Sequence, residues 1–501
     1  MLNLLGAKRI VVVGGGTAGW LSALEMRHSF PLSVEVLLIE SAQLGILGAG
    51  EGSIPNLDLA LKRYQIDRTT FMSATQSTYK LGVCFEGWRS GGEEKYHHMF
   101  STIREDLGLM EWQEHGFYPL SSTLLNRGMA LDRFPDAAHL MQRKASQAEV
   151  AAHIQRSDKE VFAYHFDARR LATFLREKAE SRGIKRVDAL VQAVTVDLQG
   201  NVTTVNTDKG NFDGDFFIDA SGFSRLILGK GLGIEWESFQ KYLILDAALP
   251  FLLPQKDKNP SLITHSKAMN SGWMWTIPTQ GRLGCGYVYS SAHISETEVL
   301  RELELHWKQE IVPVNRLRFS PGRLKKCLHS NVMAVGLASG FVEPLEATSI
   351  AQTLYQLAFF GNLMRENQRV IPERVLNIFN ADVANFWDGI VDFLVMHYDT
   401  SRADTPFWMD VGKAARPDRY LELKEAFSAR TPRIADLVPY QMGGVILFGV
   451  ASWETVGSAM GIVSPESTVA QLALLEQSAH ITLENFIERY QRSVSSNTTM
   501  L

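Results

Sequence analysis

Four uninterrupted apolar residues, Ile10 to Val13, end in a run of glycine. A short unbroken apolar run of this kind suits a parallel strand buried on both faces. After the glycines, Trp20-Leu21-Ser22-Ala23-Leu24 continues as a helix, and Val34 to Ile39 forms a second strand that stops at Glu40. Further on the pattern changes to alternation. In Gly272-Trp273-Met274-Trp275-Thr276-Ile277-Pro278 both tryptophans fall on one side of a strand, the ordinary pattern of a half-buried sheet. From Arg365 onward apolar positions recur at spacings of three and four, most clearly between Ile378 and Leu394, which predicts helices. Pro406 is expected to stop a preceding helix, and Ser493 to Leu501 reads as a frayed tail.

Composition narrows the class without naming a chemistry. The 501 residues are 45% hydrophobic and 21% charged, an ordinary globular balance with room for two or three structural units. A net charge of −5 gives no reason to expect nucleic acid or an anionic membrane as partner. Cys84, Cys285 and Cys327 are scattered and odd in number, so they form neither a disulfide framework nor a metal-ligand pattern; this suits a reducing cytoplasm, and no metal site is expected. Lys8-Arg9 before the first apolar run imitates a signal peptide, but the run is too short and glycines end it. No stretch approaches the roughly 20 apolar residues of a membrane span.

The glycines carry the first chemical reading. Gly14, Gly16 and Gly19 stand in Gly-x-Gly-x-x-Gly spacing, with Thr17 and Ala18 at the start of the helix. The first allows a tight turn, the second lets backbone approach a pyrophosphate, and the third lets helix and strand pack closely. The helix N-terminus presents free N–H groups to phosphate. Glu40 follows Gly19 by 21 positions, where a ribose hydroxyl needs an acceptor. This unit predicts dinucleotide binding and leaves NAD and FAD both open.

Further segments extend the picture. They are Gly48-Ala49-Gly50-Glu51-Gly52-Ser53-Ile54-Pro55, Ser77-Thr78-Tyr79-Lys80-Leu81-Gly82-Val83, Phe216 to Phe223, Val332 to Gly340, and Phe341-Val342-Glu343-Pro344-Leu345-Glu346-Ala347-Thr348-Ser349-Ile350. With the Trp-x-Trp-x-Ile-Pro strand, this set resembles the flavin-dependent halogenases typified by tryptophan halogenases, over about Arg9 to Trp408. The resemblance implies an α/β fold: a flavoprotein-monooxygenase-like FAD-binding frame (a Rossmann-type βαβ plus a substrate sheet) with a mainly helical C-terminal part. The expected division is an FAD-binding and catalytic module over residues 1–395 and a substrate-covering region over 396–501.

The same resemblance assigns residues. Lys80 receives hypohalous acid formed at the flavin, either by hydrogen bonding the oxidant or as a haloamine; both suit a partly desolvated amine. Glu346 is its partner, polarising the oxidant or taking the arenium proton. On the residues alone, Glu343 and Glu346 read equally as acids favouring a helix start. Thr348 and Ser349 match the halide site, and Ser349 stands where the familiar tryptophan halogenases carry Gly, which leaves chloride against bromide open. Trp273 and Trp275 wall off the flavin. Gly52, Val191, Leu337 and Ile350 join the glycines and Glu40 as cofactor contacts. In Tyr96-His97-His98-Met99-Phe100, His98 and Phe100 match positions that touch the indole, with Trp453 as a further cover. The segments around Tyr164, His397-Tyr398 and Trp408 are read as structural.

One departure bears on substrate. Where free-tryptophan halogenases carry a Tyr-Tyr-x-x-Phe-type lid, this chain has Gln441 to Val450, which offers little to a zwitterion. The expectation is therefore halogenation of indole or another electron-rich arene, dependent on FADH2 and O2, with bromide or chloride as co-substrate. A separate NAD(P)H-dependent flavin reductase supplies FADH2, and the protein is a monomer or homodimer in the cytoplasm. An aromatic monooxygenase and a flavin-binding sensor on the same frame are the competing readings.

Overall fold

A computed structural model describes residues 1–45, 51–101, 116–133, 136–156 and 161–498. The glycine-rich loop expected over Gly48-Ala49-Gly50 lies outside them. The strand Arg9–Val13, helix Thr17–Ser29 and strand Glu35–Glu40 form the anticipated βαβ unit. They belong to a six-stranded sheet ordered Leu328–His329, Val332–Ala334, Phe216–Asp219, Arg9–Val13, Glu35–Glu40, Lys185–Asp188. All its pairs are parallel except the first. Ile10 to Val13 are almost wholly buried, as strands covered on both faces must be. The helix Thr17–Ser29 packs against this layer, and the helices Thr348–Glu366 and Ala168–Glu180 pack against that helix.

A seven-stranded sheet forms the other large layer. Its order is Leu317–Arg318, Ala247–Pro254, Arg282–Tyr289, Gly272–Pro278, Ile263–Met269, Gly82–Glu86, Lys95–Met99. Register decides what faces the site. Trp275 pairs with Ser266, Ser266 with Phe85, and Phe85 with Tyr96, so these four form one row across four strands. Side chains two apart in a strand share a face. Trp273, Val83 and His98 therefore lie on the same side as that row. Cys84 and His97 occupy the opposite face with Met274, which packs against the helix Glu296–Trp307.

The C-terminal region is largely helical, as its pattern predicts. The helix Glu373–His397 runs across the expected division at 395/396, and one buried cluster extends from Leu2 to Ile487. Two local expectations are corrected. Pro406 begins a helix, Pro406–Lys413, because its missing N–H is harmless at a first helical position, where Thr405 caps by accepting from Trp408 N. The helix Gln477–Thr498, docked by Leu483 and Ile487, continues past Ser493 to Thr498, and the remainder of the expected tail, 499–501, lies outside the described residues.

Candidate active site

The nucleotide cradle follows from glycine geometry. Gly14 has φ +117°, and a Cβ there would lie 2.2 Å from Ala220 O. A Cβ on Gly19 would lie 1.8 Å from Gly14 O, so strand, turn and helix meet as backbone. Gly15 carries a constraint the motif does not specify. The Glu40 carboxylate lies over it, with Oε2 1.4 Å from where a Cβ would sit, while Arg186 Nε donates to Oε1 at 2.5 Å. Gly16 differs: nothing lies within 4 Å of its Cβ position. It caps a helix that has no side-chain cap and no acid in its first turn. Open space over unpartnered N–H groups is what a pyrophosphate needs, and these residues fit FAD. Leu337 sits in a turn at the end of the Val332–Ala334 strand, and Val191 begins a separate three-stranded sheet.

Lys80 ends the short strand Thr78–Lys80 and is 1% exposed. Its Nζ donates to Ser53 O at 3.1 Å and stands 5.1 Å from the centroid of the Phe100 ring. Burial lowers its pKa to about 8, and the Glu346 charge works in the opposite direction. Gly52 is spared a side chain here, since a Cβ would sit 3.1 Å from Nζ.

Glu346 is placed by an unusual turn. Glu346 has φ +62° and Ala347 φ +57°, two consecutive non-glycine residues in the left-handed region. Each such residue costs on the order of 1–2 kcal/mol. The turn delivers the carboxylate to a cavity and leaves the helix Thr348–Glu366 with no side-chain cap. Thr348 and Ser349 open that helix, so their N–H groups belong to its unpaired first turn, and Ile350 follows.

Histidines secure Glu346. His98 Nδ1 lies 2.8 Å from Oε1 in a hydrogen bond, and His397 Nε2 lies 3.3 Å from the same oxygen, a close polar contact without hydrogen-bond geometry. Tyr96 Oη is 2.8 Å from His397 Nδ1, and Ser452 Oγ is 2.9 Å from His98 Nε2. Burial would raise the carboxyl's pKa, but the two imidazoles outweigh it and hold the group well below the usual carboxylate range. Oε2 has no hydrogen-bond partner among the described residues. The site thus offers one clamped and one available oxygen. His397 was expected to be structural; no local spacing signals its role, because only the fold brings it to the Glu346 loop.

The cavity at Glu346 measures about 180 Å³. His98, Phe100, Tyr118, Leu447, Phe448 and Ser452 are among its lining. Trp453 is not brought to it. Its ring is 1% exposed and packs on Phe393, Phe427 and Tyr440, while Phe448 stacks on Phe393 from the cavity side. Trp273 and Trp275 are buried neighbours, 6.1 Å between centroids. Trp275 lies across Gly286, where a Cβ would be 2.2 Å from the ring.

The profile of the family described as tryptophan halogenase matches residues 9–474. The chain belongs to the tryptophan halogenase family. It is a flavin-dependent halogenase of that family, an enzyme whose reduced flavin comes from a separate reductase. Tryptophan 6-halogenase SttH of Streptomyces toxytricini is 30% identical, over 98% of this chain and 98% of that protein. An uncharacterized protein, y4xG of Sinorhizobium fredii, is 34% identical over 99% and 98%. The solved structure of Xcc4156, a flavin-dependent halogenase from Xanthomonas campestris, superposes with a TM-score of 0.85 at 30% identity, covering 99% of this chain and 96% of that one. The family's flavoprotein frame is therefore the fold seen here. No helix among the described residues of this halogenase is long and apolar enough to cross a membrane.

Proposed function

We propose that this chain halogenates an electron-rich arene without a carboxylate, indole or a simple derivative, through hypohalous acid directed by Lys80 and Glu346. The observation that carries the reading is a fully buried lysine and a buried, clamped carboxylate at one cavity: Glu346 lines it, and Lys80 Nζ stands 5.1 Å from the centroid of Phe100, which lines it too. FAD, when bound, supplies the oxygen activation. The chain's own residues do the rest. N–H groups of Thr348 and Ser349 hold the halide, Trp273 and Trp275 keep arene from the flavin, and Lys80 donates to the oxidant from a dry site where its hydrogen bond is strong. Glu346, ionised and fixed by His98 and His397, uses Oε2 to orient the oxidant or take the ring proton.

Lining chemistry supports the substrate class. Asp132, Glu346 and Glu454 line the cavity, and among the described lining residues there is no Lys or Arg. Among those described residues a free amino acid's carboxylate would find no cation. The cavity is also smaller than the roughly 300 Å³ at the low end of drug-sized sites. Phe100 and the face of His98 suit stacking on a flat ring. We also place the enzyme in the cytoplasm, a reading its three free cysteines support.

The test is mass spectrometry of indole and of tryptophan, each incubated with the protein, FAD, a flavin reductase, NADH, oxygen and either bromide or chloride. A halogen isotope pattern on indole, stronger than on tryptophan, is expected, and the yields rank the halides. Halide-independent hydroxylation of indole, or halogenation of tryptophan alone, would overturn the reading.

A further inference from the structure

One buried acid has no part in the chemistry above. Glu343 stands three residues before Glu346 and is wholly buried. Its Oε1 accepts from Trp273 Nε1 at 3.1 Å and from the Tyr398 hydroxyl at 2.7 Å. Its Oε2 has no hydrogen-bond partner among the described residues. These donors come from distant parts of the fold: Trp273 from the seven-stranded sheet, Tyr398 from the residue after the helix Glu373–His397. Consecutive residues at one helix end, His397 and Tyr398, thus hold Glu346 and Glu343 respectively. Trp88 neighbours all three rings of this cluster, 6.2 Å from Trp273, 5.2 Å from Tyr398 and 6.1 Å from His397 by ring centroids.

Mere packing does not call for a carboxyl here, since a buried acid is unfavourable unless its charge is met. The ionisable groups packed around it give no counter-charge. Tyr398 and Tyr96 are phenols pushed far above their ordinary range, His397 is held low by burial, and Glu346 on the same loop is an anion. We propose that Glu343 is a positioning residue for halogenation: it pins the Trp273 indole to the helix end that also clamps Glu346, so that oxidant is delivered to Lys80 and not to solvent. This rests on the reading of Trp273 as flavin wall and Lys80 as acceptor of the oxidant.

The pin has two strengths. As a carboxylate, Glu343 accepts both hydrogen bonds as charge-assisted bonds, which are roughly twice as strong as neutral ones. As the neutral acid it accepts them weakly and carries a proton on Oε2 with no acceptor. Burial, against the two donors, pushes its pKa up to about 7, so the change falls near neutrality.

The variants are E343Q, E343L and W273F. In the apoprotein, near-ultraviolet circular dichroism is followed from acid to alkaline pH, and the W273F spectrum is subtracted to isolate Trp273. The Trp273 signal is expected to titrate near neutrality in the wild type and stay flat in E343Q. In the loaded enzyme, halogenated indole per oxygen consumed and hypohalous acid caught by a diketone trap are measured together. E343L is expected to lower product per oxygen at least fivefold and raise trapped oxidant, with oxygen uptake within twofold. W273F should reproduce that leak, and the double variant should leak no more than either single one. E343Q should restore delivery. A folded E343L or W273F without a leak, beside a wild type that halogenates, overturns the positioning role alone, as does a Trp273 signal that titrates unchanged in E343Q. A wild type that halogenates nothing overturns the reading of the site itself.

Discussion

Glu346 Oε1 lies 2.8 Å from His98 Nδ1, and the other nitrogen of that ring lies 2.9 Å from Ser452 Oγ. Both nitrogens of His98 are therefore committed, and only its ring face is left for an arene. The charged contact that the structure gives this imidazole is with the carboxylate. His98→Ala removes a donor from a buried anion, so the Glu346 pKa should climb toward the ordinary range. The sign follows: a depressed carboxyl stays ionised down to low pH, and raising its pKa moves the acid limb of the pH–rate profile to higher pH. We expect kcat to fall about 10²-fold, the low end of a general acid–base contribution, with a smaller change in KM. An acid limb that does not move would mean that His98 serves substrate alone.

Lys80 gives the opposite linkage. Its pKa in the folded protein is about 8 against 10.5 for an ordinary lysine. The penalty for a buried ammonium is fully present below pH 8 and disappears as pH rises through 10.5. Lys80→Met keeps the length of the side chain and removes the charge. It should abolish halogenation yet raise stability at pH 7 by roughly 3 kcal/mol at most, less what is lost with the bond to Ser53 O. Denaturant melts at pH 7 and pH 10.5 check this, because the gain should vanish at the higher pH. A gain of equal size at both would show that packing, not charge, sets the difference.

Trp275 and Gly286 are closely fitted across neighbouring strands. A methyl at Gly286 would stand 2.2 Å from the indole, and sheet backbone holds both residues. Gly286→Ala should displace the ring and destabilise the fold by about 1–3 kcal/mol, measured by urea titration. An unchanged midpoint would mean that the ring moves aside freely.

What was legible in the chain was local. Gly14, Gly16, Gly19 and Glu40 declare themselves because a βαβ unit fits in some 30 consecutive residues. The Glu346 clamp could not be read the same way. His98 is 248 positions upstream in sequence, and sheet register alone carries it to the carboxylate. His397-Tyr398 has no periodic signal of function, and its contact with both acids depends on where a 25-residue helix ends. Trp453 is expected as a further cover for substrate, but its ring packs on Phe393, Phe427 and Tyr440, and sequence spacing does not show such packing. Proline alone predicts a stop at Pro406, whereas Thr405 before it makes it a start.

The glycines allow one test that separates folding from cofactor binding. Gly16 has φ −75° and open space where a Cβ would go. Alanine there should fold normally, with stability within about 0.5 kcal/mol of wild type. The methyl would, however, occupy the approach to the pyrophosphate over the helix N-terminus, so FAD affinity should drop at least tenfold, an effect of about 1.4 kcal/mol. Gly19→Ala should do the reverse: its Cβ meets Gly14 O, so the apoprotein itself should be destabilised. Thermal melts of the two apoproteins, followed by fluorescence titration with FAD, measure both halves. If Gly16→Ala binds FAD as tightly as wild type, the phosphates do not pass over Gly16, and the cradle must be sought elsewhere along the loop.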